Sequence, residues 1–378
     1  MISTPILYLF VLAFIATGFH SLESKTSWKV FKFVPAVVMI YAFSMLLASL
    51  GVFEYNQEIN SIYSLTKTNL LPAMLFLMLL QVDFRHFFKL GKSLLIAYIL
   101  ALFSLTVGFI VVAVLFDFNK DMASAFGALA GSWMGGTANM IAVGSALEVS
   151  ESAFAYALVV DSVNYTLWVM LLLFLVPFAH IFNRFTKSEQ NMAYIGNIGC
   201  ACTMGVKRYW LIILLGISAS FLAQFIAEYL TILNTTTTIV LVASVLGVLG
   251  SFTKLKEMNG SSEVATTMLY IIIALIGSKA VFESFSDVGI YVLAGFLILV
   301  IHAVLMVLGA KIFKLDLFSV AVASLSNIGG VASAPILAAA YNKSLVSVGV
   351  LMAIMGYLIG TLGGLAVGNI LIYYSQIF

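Results

Sequence analysis

Asp161 is a carboxylate inside the apolar run 152–182. It stands nine residues into that run, which at about 1.5 Å per residue is roughly 14 Å from its start. A carboxylate at membrane depth is expensive unless it meets a cation, a proton or a hydrogen-bond donor. Asn164 follows at i+3 on nearly the same helix face, with Thr166 close behind. Such a grouping suits a coupling ion, Na⁺ or H⁺, bound at Asp161 and Asn164. The same residues would also serve as a plain hydrogen bond between two helices. His302, deep in the apolar run 288–310, is a candidate proton relay by its titration range, or a helix-to-helix hydrogen bond. Gln224 and Gln81 are weaker cases of the same kind.

Two further stretches carry polar chemistry where a membrane helix should be most regular. They are GSWMGGTANM at 131–140 and LSNIGGVASA at 325–334. Glycine permits a tight turn and close backbone approach. A turn there frees N–H and C=O groups, and the half-helix ends carry partial charges. Ser132, Gly135, Gly136, Thr137 and Asn139 are the candidate substrate ligands of the first stretch. Ser326, Asn327, Gly329, Gly330 and Ser333, with Ser324 beside them, are those of the second. Small residues also let membrane helices pack closely, so a single Gly-Gly would not by itself mark a site.

The elements that must position these residues are membrane helices. The 378 residues are 62% hydrophobic and only 9% charged, against about a quarter charged in soluble domains. A polytopic all-α membrane protein follows. A net charge of +2 implies no nucleic-acid surface. Cys200 and Cys202 form a lone C-x-C, read as ordinary thiols because a structural zinc site needs more ligands. The N-terminal apolar run lacks the basic segment of a cleaved signal peptide and is expected to be the first span.

Apolar segments fall at about 2–19, 31–52, 68–84, 92–116, 122–147, 152–182, 209–230, 235–253, 262–280, 288–310, 315–341 and 345–374. If all of them cross, the basic loop 183–208, with Arg184, Lys187, Lys207 and Arg208, shares a side with 53–67. Basic short loops stay cytoplasmic. If 122–147 and 315–341 instead turn back at their Gly-Gly, ten segments span. With the N-terminus outside, only Lys67, Lys120 and Lys279 of the 18 Lys and Arg then lie outside. About ten transmembrane helices plus two re-entrant hairpins or broken helices are therefore expected, with both termini outside. Asp83 and Arg85 would sit at the cytoplasmic interface, and Glu228, Glu263 and Lys279 near span ends.

The two stretches match in register. An offset of 194 places Ser132 on Ser326, Gly135 on Gly329, Gly136 on Gly330, Ala138 on Ala332 and Ala146 on Ala340. Four spans precede each hairpin and one follows, so the halves have opposite orientation. That is an inverted-topology repeat, the plan of many secondary transporters. The first repeat is 1–182, the linker 183–208 and the second repeat 209–378. The hairpins enter from opposite sides, and their tips approach near the bilayer midplane. Irregular backbone at that depth is tolerated where protein buries it or it lines a wet cavity.

No H-E-x-x-H and no G-x-x-x-x-G-K-[ST] is present. No cofactor is expected and the chain is not read as an enzyme. Energy would come from an ion gradient. A channel would need polarity along a whole pore, whereas here it clusters at two tips. A sensor would need a soluble output domain.

The runs LLPAMLFLMLLQVDFRHF (70–87), GSWMGGTANM and SLSNIGGVASAP (324–335) resemble the YjcL-like family of bacterial and plastid membrane proteins. That family is grouped with the cation:proton antiporter/anion transporter superfamily. It is similar in plan to glutamate:sodium symporters and 2-hydroxycarboxylate transporters, whose re-entrant loops carry a Gly-Gly-x-Gly-like motif. Gly135-Gly136 and Gly329-Gly330 match the pair, but Ala138 and Ala332 stand where the last glycine would be. The resemblance implies a mobile core holding 92–116, 152–182, 288–310, 345–374 and the hairpins. It implies a scaffold of early spans, a homodimer, and elevator-like transport. The expected function is a secondary transporter in a bacterial cytoplasmic membrane. Its partners are a small organic solute of anionic type and a coupling cation. Cation:proton antiport is the nearest alternative.

Overall fold

The structure is a computed structural model and describes residues 1–25, 36–80, 91–188, 205–230, 235–279, 288–342 and 345–377. Gln81, Asp83, Arg85, Cys200 and Cys202 lie outside the described residues. The helices, in chain order, are α1 (Pro5–Lys25), α2 (Ala36–Ser49), α3 (Gln57–Leu79), α4 (Lys92–Leu115), α5 (Lys120–Gly135) and α6 (Thr137–Ala146). They continue as α7 (Glu151–Leu175), α8 (Ala179–Thr186), α9 (Val206–Tyr229), α10 (Thr235–Ser251), α11 (Ser261–Gly277) and α12 (Val288–Phe313). The last are α13 (Leu317–Ile328), α14 (Gly330–Tyr341) and α15 (Val346–Ile377).

Among the described residues seven stretches are long and apolar enough to cross a membrane. They are Pro5–Glu23, Gln57–Leu79, Lys92–Leu115, Glu151–Thr186, Val206–Tyr229, Val288–Phe313 and Val348–Ile377. The protein is an all-helical integral membrane protein. Helix α3 begins at Gln57, where the hydropathy pattern places a loop over 53–67. The reason is local. Asn56 caps the helix, its side-chain oxygen accepting the Ile59 N–H at 2.9 Å, so the polar residues 57–67 extend the helix rather than a turn.

The chain forms two compact units, and each draws on both halves of the sequence. One comprises Met1–Gln81, Ser150–Ser162 and Thr203–Val288. Its centre is the second half of α3, Leu71–Leu80, apolar all round and buried all round. Helices α9 and α10 approach it through glycine. A Cβ on Gly216 would lie 2.9 Å from Leu77 Cδ1, and one on Gly247 would lie 2.9 Å from the Phe76 carbonyl oxygen. Gln224 of α9 donates to Asn69 Oδ1 on α3 at 3.1 Å, a tie between helices.

The other unit comprises Val82–Val149, Val163–Cys202 and Gly289–Phe378 and holds both Gly-Gly stretches. Helices α5 and α6 have 16 and 10 residues. At about 1.5 Å per residue neither reaches the ~30 Å of a hydrocarbon core. They do not continue one another either. A Cβ on Gly127 would lie 2.7 Å from Leu147 Cδ1, and one on Gly131 would lie 2.9 Å from Val143 Cγ2, so the arms fold back antiparallel. Helices α13 and α14, of 12 residues each, do the same. Phe318 near the start of α13 packs edge-on against Tyr341 at the end of α14, centroids 5.3 Å apart. Both Gly-Gly stretches are helical hairpins.

Candidate functional site

The first hairpin turns at Gly136, with φ 86°, a backbone that side-chain-bearing residues rarely adopt. Gly135 closes α5, and Thr137, half-buried, opens α6. Asn139 is buried (1% exposed). Its amide nitrogen donates to the Gly135 carbonyl at 2.7 Å and reaches the Gly356 carbonyl at 3.4 Å. Its amide oxygen accepts the Thr361 hydroxyl at 2.5 Å. Asn139 therefore braces the turn and fastens it to α15. The carbonyl of Ser132, also buried, accepts the Gly136 N–H at 2.6 Å.

That fastening continues as a seam of glycines. Gly356, Gly360, Gly364 and Gly368 stand four apart on α15, and Gly127, Gly131 and Gly135 four apart on α5. A Cβ on Gly364 would lie 2.6 Å from Gly131 Cα. One on Gly360 would lie 2.8 Å from Gly135 N, and one on Gly127 would lie 2.7 Å from Gly368 Cα. The backbones meet where any side chain would separate them, as small-residue interfaces in membranes allow.

The second hairpin turns over Gly329 and Gly330, the latter with φ 59°. Gly136 and Gly330 are the residues that coincide at the 194-residue offset, and both take positive φ. Ser326, Asn327 and Ser333 are buried (0%, 0% and 3% exposed). Asn327 donates to the Ala323 carbonyl at 2.9 Å. Its amide oxygen, and the hydroxyls of Ser326 and Ser333, have no hydrogen-bond partner among the described residues. The hairpin register of Phe318 with Tyr341 also sets Ser326 opposite Ser333. A Cβ on Gly329 would lie 2.6 Å from Tyr165 Cε2, so this tip is covered from α7.

Both hairpins lie along α15. A Cβ on Gly349 would meet the Ala334 carbonyl oxygen at 2.6 Å, and one on Gly356 would meet Gly135 Cα at 3.0 Å. Seven residues separate these positions, about 10 Å along the helix. At each tip the second arm starts from glycine with no side-chain cap, whereas Asn119 and Asp316 cap the first arms. The uncapped first turns and the three buried oxygens are the polar resources of the site.

His302 is fully buried and bonded through both ring nitrogens. Nδ1 is 2.7 Å from Ser104 Oγ on α4, and Nε2 is 2.8 Å from Ser324 Oγ on α13. Trp168 Nε1 donates to Ser324 Oγ at 2.9 Å, and Ser104 Oγ donates to the Ala101 carbonyl at 3.0 Å. Indole N–H is donor only. With Trp168 donating to Ser324, Ser324 to Nε2, Nδ1–H to Ser104 and Ser104 to the carbonyl, every proton finds an acceptor. This assigns His302 as the neutral Nδ1–H tautomer.

A family model described as "Protein of unknown function (DUF819)" matches residues 9–374. The chain belongs to the DUF819 family. It is similar to the uncharacterized membrane protein YjcL of Bacillus subtilis (strain 168), with 22% identity over 370 residues and 92% of each chain covered.

In this DUF819 chain the sequence-derived candidates separate into groups. Gly135, Gly136, Thr137 and Asn139 form one tip, and Ser326, Asn327, Gly329, Gly330 and Ser333 the other. Asn164 donates to the Val292 carbonyl at 3.2 Å, tying α7 to α12. Asp161 is half-buried on the same helix, in the segment that belongs to the first compact unit. Ser324 is spent on His302 and Trp168. The hydropathy pattern overlooked Thr361, Ser104, Trp168 and the α15 glycines. The repeat of glycine every fourth residue at 356–368 was the available signal for the last of these.

Proposed function

We propose that this DUF819 protein is a secondary active transporter. It moves a small organic solute, of anionic type, coupled to Na⁺ or H⁺. The observation that carries this is the trio of buried side-chain oxygens at the second tip, on Ser326, Asn327 and Ser333, without partners among the described residues. Buried polar atoms are nearly always satisfied, and each exception calls for a ligand, water or ion. The uncapped first turns of α6 and α14 add N–H groups and positive helix ends, which favour an anionic or strongly polar group.

Supporting it are the matched positive φ of Gly136 and Gly330 and two compact units that each draw on both sequence halves. An inverted repeat divided into core and scaffold would account for both. The hairpins with 92–116, 152–182, 288–310 and 345–374 would be the moving core of an elevator, and the early spans of each half the scaffold and dimer face. Asp161 is the coupling carboxylate, and the superfamily of cation:proton antiporters and anion transporters is its natural group.

A second proposal, cation:proton antiport, is favoured by the donor set of the second tip. All three side-chain atoms are oxygens, the ligand type of hard cations, and the cation itself would be the cargo.

The test is the melting temperature of the purified full chain against NaCl and against KCl at matched ionic strength and several pH values. Parent, Asp161→Asn and Ser333→Ala would be compared. Stabilisation by Na⁺ lost in both variants supports sodium coupling, because a ligand of the native state stabilises by mass action. A pH-dependent melt lost in Asp161→Asn, with Na⁺ and K⁺ equal, supports proton coupling. No response in any condition, and no solute or cation flux in proteoliposomes under either gradient, would overturn the transporter proposal.

A further inference from the structure

Among the described residues a cavity of about 520 Å³ lies between the C-terminal half of α7, the following turn at Val176–Phe178, α8, α12 and α13. That volume falls in the roughly 300–1,000 Å³ range of small-molecule sites. The lining is hydrocarbon, with Leu172, Met306, Leu317 and Val320 buried on its inner side. Trp168 and Ser324 stand at one end, but their polar atoms are bonded to each other and to His302. An occupant therefore finds no polar atom to satisfy on the floor. The cavity follows α13 from Leu317 to Ser324, seven residues or about 10 Å. Its outer wall includes Ile181 and Phe185 of α8, both exposed to the surroundings.

The Leu317 end is different. Lys311 and Lys314 stand at the end of α12, just before Leu317 in sequence, and Arg184 and Lys187 at the end of α8, all four exposed. Lys311 Nζ stands 4.2 Å from the centroid of the Phe185 ring and donates to the Phe185 carbonyl. Asn183 Oδ1 accepts the Leu317 N–H at 2.8 Å, which pins α8 to α13 and fixes this rim. The carboxylate here, Asp316, is turned inward as the cap of α13, accepting Ser319 N–H at 2.9 Å and Ser319 O–H at 2.8 Å. Lys311 thus stands against Phe185 in the wall of the slot, with Lys314, Arg184 and Lys187 on the adjoining helix ends.

We propose that this cavity holds an acyl chain of an anionic membrane phospholipid, with the headgroup phosphate at Lys311, Lys314, Arg184 and Lys187. Hydrocarbon fills the slot from the membrane side, and the charge is met where the basic residues gather. Basic pockets between membrane helices are known to suit such headgroups. The lipid is a structural or regulatory ligand of the hairpin-bearing unit. It is separate from the transported solute.

Trp168 supplies the readout, since it lines the cavity. Purified full-length protein in detergent is titrated with phosphatidylglycerol or phosphatidylcholine carrying identical brominated acyl chains. The tryptophan quenching of Trp168→Phe is subtracted to isolate Trp168. Phosphatidylglycerol should quench Trp168 at lower concentration than phosphatidylcholine. Lys311→Gln and Lys314→Gln should each weaken that preference about five-fold. Ala303→Phe, or the more exposed wall variant Val307→Phe, should remove the quenching by filling the slot. Equal quenching by both lipids overturns the proposal, as does quenching that survives both filling variants. Stabilisation by inorganic phosphate alone, matching that by phosphatidylglycerol, would also overturn it by assigning the rim to a free anion.

Discussion

Gly364 faces Gly131 across the contact of α15 with the first hairpin, and a Cβ on Gly364 would lie 2.6 Å from the Gly131 Cα. Neither backbone can yield without lifting α5 from α15. Gly364→Ala is therefore expected to destabilise by about 1–3 kcal/mol, the range of overpacking in a tight core. The usual gain of Ala over Gly in a helix, about 1 kcal/mol, works in the opposite sense and is outweighed. Gly18 on α1, with none of the described residues within 4 Å of an added Cβ, is the control and should tolerate Ala or gain from it. Thermal melts of the two variants in one detergent decide the matter.

Asn139 and Thr361 are expected to behave as a pair. Thr361→Val keeps the shape but leaves the Asn139 amide oxygen without its 2.5 Å donor, at a cost of about 1–3 kcal/mol. Asn139→Ala also frees the Gly135 carbonyl and should cost at least as much. The double variant should lose less than the two losses added, with a coupling of about 0.5–3 kcal/mol. Additive losses would show that the contact does not form.

At the second tip the sign reverses. The Ser326 and Ser333 hydroxyls have no partner among the described residues, so each carries a desolvation cost without return. Ser333→Ala without added ligand is expected to melt at or above the parent temperature. The same variant should lose whatever stabilisation Na⁺ or solute gives the parent. This is the trade of stability for function expected where a site is built from unsatisfied groups. A Ser333→Ala protein that is less stable in ligand-free buffer would contradict it.

His302 should act as a brace. Ser324→Ala removes the partner of both Nε2 and Trp168, and should cost about 1–3 kcal/mol. His302→Gln, which both donates and accepts, should retain more stability than His302→Leu. If His302 instead relays protons, His302→Gln would fold as the parent does but lose a proton-driven flux in proteoliposomes. The paired measurement of melting and flux separates the two roles.

The glycine turns were legible because two Gly-Gly pairs in apolar runs leave the backbone little else to do. Loop charge favoured a fold-back at each run over a broken crossing helix without deciding between them. The seam on α15 was not read, although its four-residue spacing is written in the sequence, because spacing does not say which helix a face will meet. His302 shows the same limit. Its burial follows from the apolar run around it, but its partners Ser104 and Ser324 sit 198 and 22 residues away. Asp161 and Asn164 share a helix face by arithmetic, yet only the fold reveals that Asn164 is used on the Val292 carbonyl. The start of α3 was misplaced because hydropathy reports lipid contact, whereas the Asn56 cap decides where a helix begins.

The glycine seam also sets an order of assembly. The first hairpin ends at Ala146 and the helix it rests on begins at Val346, so 200 residues of synthesis separate them. At about 5–20 residues per second that is roughly 10–40 s. During that interval the arms of α5 and α6, too short to cross alone, have no α15 to seat against. A ribosome stalled within those residues would leave the first hairpin as the element most open to quality-control proteolysis. Cleavage there should cease once α15 has been inserted.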